Sequence, residues 1–378
     1  MRYLILGAGL QPKAIVHYLV GCPDTSQVLI VDGIRGKAER LAESFADPRV
    51  RGETRDVSVI TSMAQFMRGF DAVVSAVPYD MNGPLTKAAI RAGTHFVDLG
   101  GNNDVEARQI ALSEAAAAAG VAVAPAQGIA PGAVSVLVAH LMKILPADKY
   151  DRVEIYVGGI PRPYIPPIGY ALVFSEHGLF NEYLEETEIL QDGKRTLVES
   201  LTGTEPRRFQ PPFGELEAAY TSGGSSTLTR TFEGKVGYLA YKTLRWPGHW
   251  EFIRKLKELG LLSMDPAHGL KGVSPREMTE KAFARTLPRG VEDAIVLSVA
   301  VSAENQATQF EMVVTHDAAT GLSAMQQTTG FSAAIVARML ANGTISKRGT
   351  LTTELDIPTD EFLAGWKRCG FRWMITMT

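Results

Sequence analysis

The sequence predicts an α/β chain: an N-terminal domain built on a parallel sheet, then a second, α+β domain with a mixed or antiparallel sheet. Three observations carry that prediction. The first 125 or so residues alternate short apolar runs with helical patterns. A glycine turn, Gly7-Ala8-Gly9, separates the first apolar run from the first helical pattern. After about residue 145 the apolar runs give way to polar–apolar alternation and proline-rich turns.

The elements follow in order. Arg2 to Leu6 is a strand, and Lys13 to Val20 a helix with Ala14, Ile15, Tyr18 and Leu19 on one face. Gln27 to Val31 is a second strand stopped by Asp32-Gly33, and Lys37 to Phe45 a helix. Phe70 to Val77 is a buried strand, Leu85 to Ala92 a helix, and His95 to Leu99 a strand ending in Gly100-Gly101. Val105 to Ala119 is a helix and Val121 to Ala124 a strand. Near-continuous apolar strands alternating with helices belong to parallel sheets covered on both faces. Further on, Val153 to Val157 alternates as a strand with one wet face, followed by a turn through Pro161, Pro163, Pro166 and Pro167. Gly237 to Arg245 alternates likewise, Ala294 to Ala303 and Gln309 to Thr315 form a strand pair, and Ser332 to Ala341 is a helix closed by Asn342-Gly343.

Composition narrows the functional classes. The 378 residues are 46% hydrophobic and 21% charged, with a formal net charge of −3. Two domains and a large core fit those values, and no basic surface invites nucleic acid. Cys22 and Cys369 are the two cysteines, too few for a disulfide scaffold or a Cys-rich zinc site, and in keeping with a reducing, cytoplasmic setting. The histidines form no HxH or HExxH pattern, so no metal is expected. The opening Met1 to Gly7 is too short and glycine-interrupted to read as a leader. Residues 115 to 142 hold no charge, but Gly120, Pro125, Gly128, Pro131 and Gly132 cut them into helix end, strand, loop and second helix, not a membrane span.

Strand, Gly7-x-Gly9 and helix together form a dinucleotide-binding start, because glycines let the backbone approach a pyrophosphate seated on the helix N-terminus. That makes the first domain Rossmann-type. Leu10 and Gln11 continue the turn, and Pro12 stands where a third glycine is usual. Proline suits the first helical turn. Asp32 ends the second strand, where an acid binds the adenosine ribose hydroxyls and favours NAD over NADP; Arg35 nearby weighs the other way, and Asp32-Gly33 also reads as a plain turn. The strand ends Ala76-Val77-Pro78 and Asp98-Leu99-Gly100-Gly101 should open into the cofactor crevice. Capping the following backbone is the competing role for Asp98.

The chain resembles the saccharopine dehydrogenase-like family and, within it, the NAD-dependent L-lysine 6-dehydrogenases. The resemblance runs over nearly the whole chain. It rests on Leu4 to Leu10, Val97 to Gly101, Gly128-Ile129-Ala130-Pro131-Gly132, Tyr156 to Pro161, Tyr170 with Val173-Phe174-Ser175, Glu217-Ala218 with Thr221 to Gly224, and Tyr241 to Arg245 with Gly248-His249. Thr328-Thr329-Gly330-Phe331, read as preceding a helix, looks like the wider family. The resemblance implies a Rossmann domain over 1–130 to which the chain returns near 318–345. A catalytic and oligomerising domain would take 131–317 and 346–378. It also implies oxidation of the lysine side-chain amine by NAD, with Pro131 added to the cofactor residues, and a homo-oligomer acting on a small amino acid without nucleic acid or membrane.

That chemistry assigns candidates. A neutral amine and a proton acceptor are needed, and Asp98 is one candidate. Lys242 and His249 would polarise or position, Arg245 would bind the α-carboxylate, and Thr221, Ser222 and Tyr170 would contact substrate. The competing readings are a solvated strand with alternating charges for 242–249 and an ordinary turn for 221–224. Alternative functions are a saccharopine- or carboxynorspermidine-type reductase and a nucleotide-binding protein without turnover.

Overall fold

The computed structural model describes residues 1–173, 176–266 and 272–378; Phe174 and Ser175 of the resemblance lie outside the described residues. Two compact units divide the chain, one of Met1–His140 with Gln326–Phe371 and one of Leu141–Met325 with Arg372–Thr378.

The first unit begins with β1 (Arg2–Leu6), α1 (Pro12–Val20), β2 (Gln27–Asp32), α2 (Lys37–Glu43), β3 (Val50–Thr54) and α3 (Ile60–Met67). It continues with β4 (Ala72–Ser75), α4 (Asn82–Ala92), β5 (His95–Asp98), α5 (Asn103–Ile110), α6 (Ser113–Ala118), β6 (Ala122–Ala124) and α7 (Ala133–Ile144). The expected single helix from Val105 to Ala119 is two helices. Neither β3 nor α3 was expected: Val50–Thr54 is half-exposed and carries no apolar run. The helix at the end of the uncharged stretch is α7, and no described helix is long and apolar enough to cross a membrane.

The second unit contains β7 (Tyr150–Pro161), α8 (Glu176–Leu184), β8 (Thr187–Gln191), β9 (Lys194–Val198), β10 (Glu205–Arg208), β11 (Glu215–Tyr220) and α9 (Leu228–Thr231). Then come β12 (Val236–Arg245), α10 (His249–Glu258), α11 (Pro275–Thr286), β13 (Asp293–Ala303) and β14 (Gln306–Thr315). The chain re-enters the first unit along α12 (Ala324–Ala341), adds β15 (Gly349–Thr350), α13 (Thr353–Asp356) and α14 (Thr359–Arg368), and ends with β16 (Trp373–Met377).

The first sheet has the order β15-β6-β5-β4-β1-β2-β3, every pair parallel. This is the doubly wound arrangement, whose crevice lies beyond the C-terminal ends of the central strands. The second sheet runs β10-β11-β12-β7-β13-β14-β16. Only β12 and β7 are parallel along that path, so the sheet is mixed. The predicted fold class holds.

The expected return over 318–345 is corrected to Gln326–Phe371. Residues 346–371 therefore belong to the first unit. There β15 pairs with β6, and Thr350 Oγ1 donates to the Gln109 carbonyl at 2.8 Å. Thr328 to Phe331 lie inside α12, not before it. The helix starts earlier because Asp293 accepts from Ala324 N at 2.6 Å and Met325 N at 3.0 Å, satisfying the first orphan N–H groups.

Candidate active site

In the first unit, β1 stops at Gly7, whose φ is +96°. A Cβ there would sit 2.8 Å from the Ala76 carbonyl oxygen, so only glycine fits between the ends of β1 and β4. At Gly9 a Cβ would meet nothing within 4 Å, so the backbone there faces open space. The N–H groups of Gly9, Leu10 and Gln11 have no intramolecular acceptor. They surround the N-terminus of α1, with Pro12 at its first turn. An approaching phosphate would find free donors and the positive end of a helix. The residues present thus fit a dinucleotide.

The close approach usually given to the third glycine falls elsewhere. A Cβ on Gly330 of α12 would lie 2.6 Å from the Ala14 Cβ and 3.2 Å from the Gln11 carbonyl, so α12 packs directly on the start of α1. Pro12 is buried at the start of the same helix.

Asp32 accepts from Ala8 N at 2.8 Å and Ile34 N at 2.9 Å, with Lys37 Nζ at 3.3 Å. Burial pushes its carboxyl up, but these donors outweigh it and hold it below the usual range. An ionised carboxylate therefore ends β2 and fastens the glycine turn to that strand. Gly100 and Gly101 have φ of +77° and +123°. Cβ atoms there would press on Ala126 at 3.0 Å and Tyr79 at 3.2 Å, and Pro131 lies next to Gly100. Leu99, Ala76, Val77 and Pro78 follow strands β5 and β4 at the same sheet end.

Asp98 occupies no crevice. It is fully buried and accepts from Gly100 N at 2.8 Å, Ala126 N at 2.9 Å and Gln109 Nε2 at 2.6 Å. Burial raises its pKa against those three bonds. This is the capping arrangement that competed with the base role: donors engage both oxygens.

In the second unit, β12 sends neighbouring side chains to opposite faces. Lys242 goes one way, donating to the Gly203 carbonyl at 2.7 Å and Glu205 at 3.0 Å, above the Tyr220 ring. Tyr241, Thr243 and Arg245 go the other. The structure thus separates Lys242 from Arg245 and His249, which sequence proximity had grouped.

Arg245 is buried between Tyr170 (4.8 Å to the ring centroid) and Trp250 (5.6 Å). Its Nε donates to the Tyr183 hydroxyl at 3.4 Å and Nη1 to the Leu244 carbonyl at 3.0 Å. Among the described residues Nη2 has no acceptor and no carboxylate lies within ion-pair distance. Burial opposes its charge, but the surrounding phenols and Glu182 outweigh it and raise its pKa. A buried cation with a spare donor is costly unless an anion meets it.

Gly248, at φ +87°, turns the chain so that His249 opens α10 inside this cluster. His249 Nδ1 lies 3.0 Å from the Ile168 carbonyl and Nε2 3.0 Å from the Tyr183 hydroxyl. A carbonyl only accepts, so Nδ1 carries the proton and Nε2 accepts from Tyr183. Burial, then Arg245, hold the imidazole neutral, with a pKa of about 3. Both nitrogens are engaged, so His249 positions its neighbours.

Tyr170 is fully buried and its hydroxyl has no partner among the described residues. Thr221 Oγ1 and Thr243 Oγ1 bond each other at 2.6 Å. Ser222 donates to the Asn181 carbonyl at 3.2 Å and Glu185 at 3.3 Å. The structure therefore brings Tyr170, Arg245 and His249 into one cluster, with Thr221 and Ser222 bordering it. Tyr183 and Glu182 on α8 belong to the same cluster and escaped the sequence reading. Their signal in the sequence was slight: Asn181-Glu182-Tyr183 directly follows the apolar pair Leu179-Phe180.

Residues 3–124 match the family model described as the saccharopine dehydrogenase NADP binding domain. Residues 128–370 match that described as the saccharopine dehydrogenase C-terminal domain. The chain belongs to the saccharopine dehydrogenase family. Among curated members it is similar to saccharopine dehydrogenase (NADP(+), L-glutamate-forming) of Pyricularia oryzae, 27% identical over 253 residues, 63% of this chain and 54% of that one. The protein of that name from Saccharomyces cerevisiae is 24% identical over 274 residues, 69% and 58% of the two chains. The matched segments span little more than half of these relatives. Among solved structures, apo saccharopine dehydrogenase (L-Glu forming) from Saccharomyces cerevisiae superposes with a TM-score of 0.80 at 19% identity, covering 100% of this chain and 99% of that one. Homospermidine synthase from Legionella pneumophila, solved with NAD, gives 0.73 at 13% identity, covering 100% and 91%. At these identities the likeness is one of fold. Among the described residues no three His, Cys, Asp or Glu side chains converge as a metal site.

Proposed function

We propose that the chain is an NAD-dependent dehydrogenase of the L-lysine side-chain amine, giving 2-aminoadipate 6-semialdehyde and ammonium. The observation that carries this reading is Arg245, a buried guanidinium with, among the described residues, an unused donor and no acid within ion-pair distance. Such a group suits a substrate α-carboxylate. When bound, NAD accepts the hydride from the carbon that carries the amine. The turn at Gly7 to Gln11 holds the pyrophosphate, and Asp32 takes the ribose hydroxyls. Arg245 fixes the carboxylate end of the substrate, and the neighbouring phenols, kept protonated by burial, supply further donors. The amine must be neutral before hydride leaves, and water then attacks the iminium carbon to release ammonium.

Family membership favours a second reading, because the named relatives are NADP(+)-dependent and L-glutamate-forming. In that reading the enzyme joins or separates an amino acid and a semialdehyde through a secondary amine. Reduced-cofactor formation at 340 nm decides. Lysine with NAD supports the first reading. Turnover of saccharopine but not lysine supports the second. We extend the proposal to a cytoplasmic homo-oligomer whose partners are small molecules rather than nucleic acid or membrane, tested by light scattering.

A further inference from the structure

We propose that Glu182 is the second half of an amino-acid head-group clamp, taking the substrate α-ammonium while Arg245 takes the α-carboxylate. This rests on the reading above that an amino acid binds at Arg245.

Glu182 sits on α8, one residue before Tyr183, whose hydroxyl bonds Arg245 and His249. Its backbone carbonyl accepts from Ser222 N at 3.0 Å, which fixes this turn of α8 against the strand end after β11. The residue keeps some exposed surface, but its carboxyl is enclosed enough for burial to raise its pKa; it makes no side-chain hydrogen bond among the described residues, and it feels Arg245 electrostatically. Arg245 and Glu182 are thus a cation and an acid in one cluster that do not close on each other. Each keeps unused hydrogen-bonding capacity. The fully buried Tyr170 hydroxyl, also without a partner among the described residues, lies in the same field. An α-amino acid presents an adjacent carboxylate and ammonium, the complement of this pair. A lone Arg245 would recognise any carboxylate; Arg245 with Glu182 selects for the amino acid.

The described groups that interact electrostatically with Glu182 are Arg245 and Tyr241 on β12, Tyr183 on α8, and Tyr170. Burial pushes its carboxyl up to about 7, with Arg245 opposing. Only the ionised form attracts an ammonium, so apparent affinity for lysine should rise with pH through that value.

The test compares L-lysine with 6-aminohexanoate, which lacks the α-amine but keeps the carboxylate and the reacting amine. In the full-length protein with NAD, Glu182→Gln should reduce kcat/KM for lysine by roughly 10- to 100-fold, mainly through KM. It should change 6-aminohexanoate less than about threefold and abolish the rise of 1/KM for lysine near pH 7. Glu182→Asp should restore part of the loss. An equal loss on both compounds, or none on lysine, overturns the clamp. If wild type oxidises neither compound, the proposed activity fails and binding judges the clamp. Calorimetry on L-lysine against 6-aminohexanoate and L-glutamate against glutarate must then show a wild-type preference for the amino acids that Glu182→Gln erases. No such preference, or one surviving the substitution, overturns it.

Discussion

The Tyr183 hydroxyl donates a hydrogen bond to Nε2 of His249 across 3.0 Å, while His249 Nδ1 donates to the Ile168 carbonyl. The same hydroxyl accepts from Arg245 Nε at 3.4 Å. A carbonyl, an imidazole, a phenol and a guanidinium thus form one directed chain, and its orientation follows from which groups only donate or only accept. The chain fixes Arg245 from a helix and a strand at once.

Removing the middle link should be felt at both ends. Tyr183→Phe strands a buried imidazole nitrogen and should cost about 1–3 kcal/mol of stability, read by urea unfolding. The KM for lysine should rise in the same variant because Arg245 loses a restraint. Unchanged stability and KM would show that the chain does not hold the arginine.

Arg245 and Lys242 should part company kinetically. Arg245→Ala should lower kcat/KM for lysine by roughly 2–4 kcal/mol, and Arg245→Lys should recover only part, since an ammonium cannot form two coplanar bonds. Turnover of cadaverine, which lacks the carboxylate, should change little. Lys242→Met should leave lysine kinetics near wild type, because Lys242 faces Gly203 and Glu205. Equal losses for lysine and cadaverine in Arg245→Ala would assign the arginine a structural role.

Acid should unfold the protein partly through two histidines. His249 and His95 have folded pKa values of about 3 and about 4, against an ordinary value of 6.5; burial dominates both, and each has an arginine opposing its charge. The unfolded chain therefore binds more protons as pH falls below 6.5. Each site's stabilisation is present above 6.5 and is lost as pH falls toward its folded pKa, at up to about 1.4 kcal/mol per pH unit. Glu182, raised to about 7, acts in the opposite sense. The informative quantity is a difference: the stability of wild type minus that of His249→Gln should shrink steadily from pH 6.5 to pH 4. A difference that does not vary with pH would contradict a buried neutral imidazole.

The glycines around α1 should separate fold from cofactor binding. Gly7→Ala places a Cβ 2.8 Å from the Ala76 carbonyl oxygen at positive φ, and Gly330→Ala places one 2.6 Å from the Ala14 Cβ. Both should destabilise the fold and lower the unfolding midpoint, with a loss of about 1–3 kcal/mol in stability for overpacking at Gly330. Gly9→Ala meets only open space, so it should leave stability alone and weaken NAD binding by intruding where the pyrophosphate approaches. Calorimetric NAD titrations beside thermal unfolding check all three.

Cofactor choice should turn on Asp32. Asp32→Asn retains acceptor capacity for the turn but removes the charge that repels a 2′-phosphate. NAD affinity should fall and the gap to NADP should narrow. Tighter binding of NADP than NAD by wild type would remove the assigned role, a pointed test given that the matched family model is an NADP binding domain.

The sequence by itself determined the layered α/β start, the dinucleotide turn and the change to a mixed sheet. Those features are local: apolar strands buried on both faces, glycines at turns, alternation where one face is wet. It also marked the segment from Tyr241 to His249, but not which of its charges act together. Tertiary structure decided that, because β12 sends Lys242 and Arg245 to opposite faces. It decided Asp98 too, since Gln109 and Ala126 claim oxygens that the sequence left open. Glu182 and Tyr183 joined the site only through folding: Tyr183 meets Arg245 from 62 positions away. No local pattern encodes such a meeting. It arises from helix α8 packing on the sheet, and burial among apolar and aromatic side chains then sets the charge each group carries.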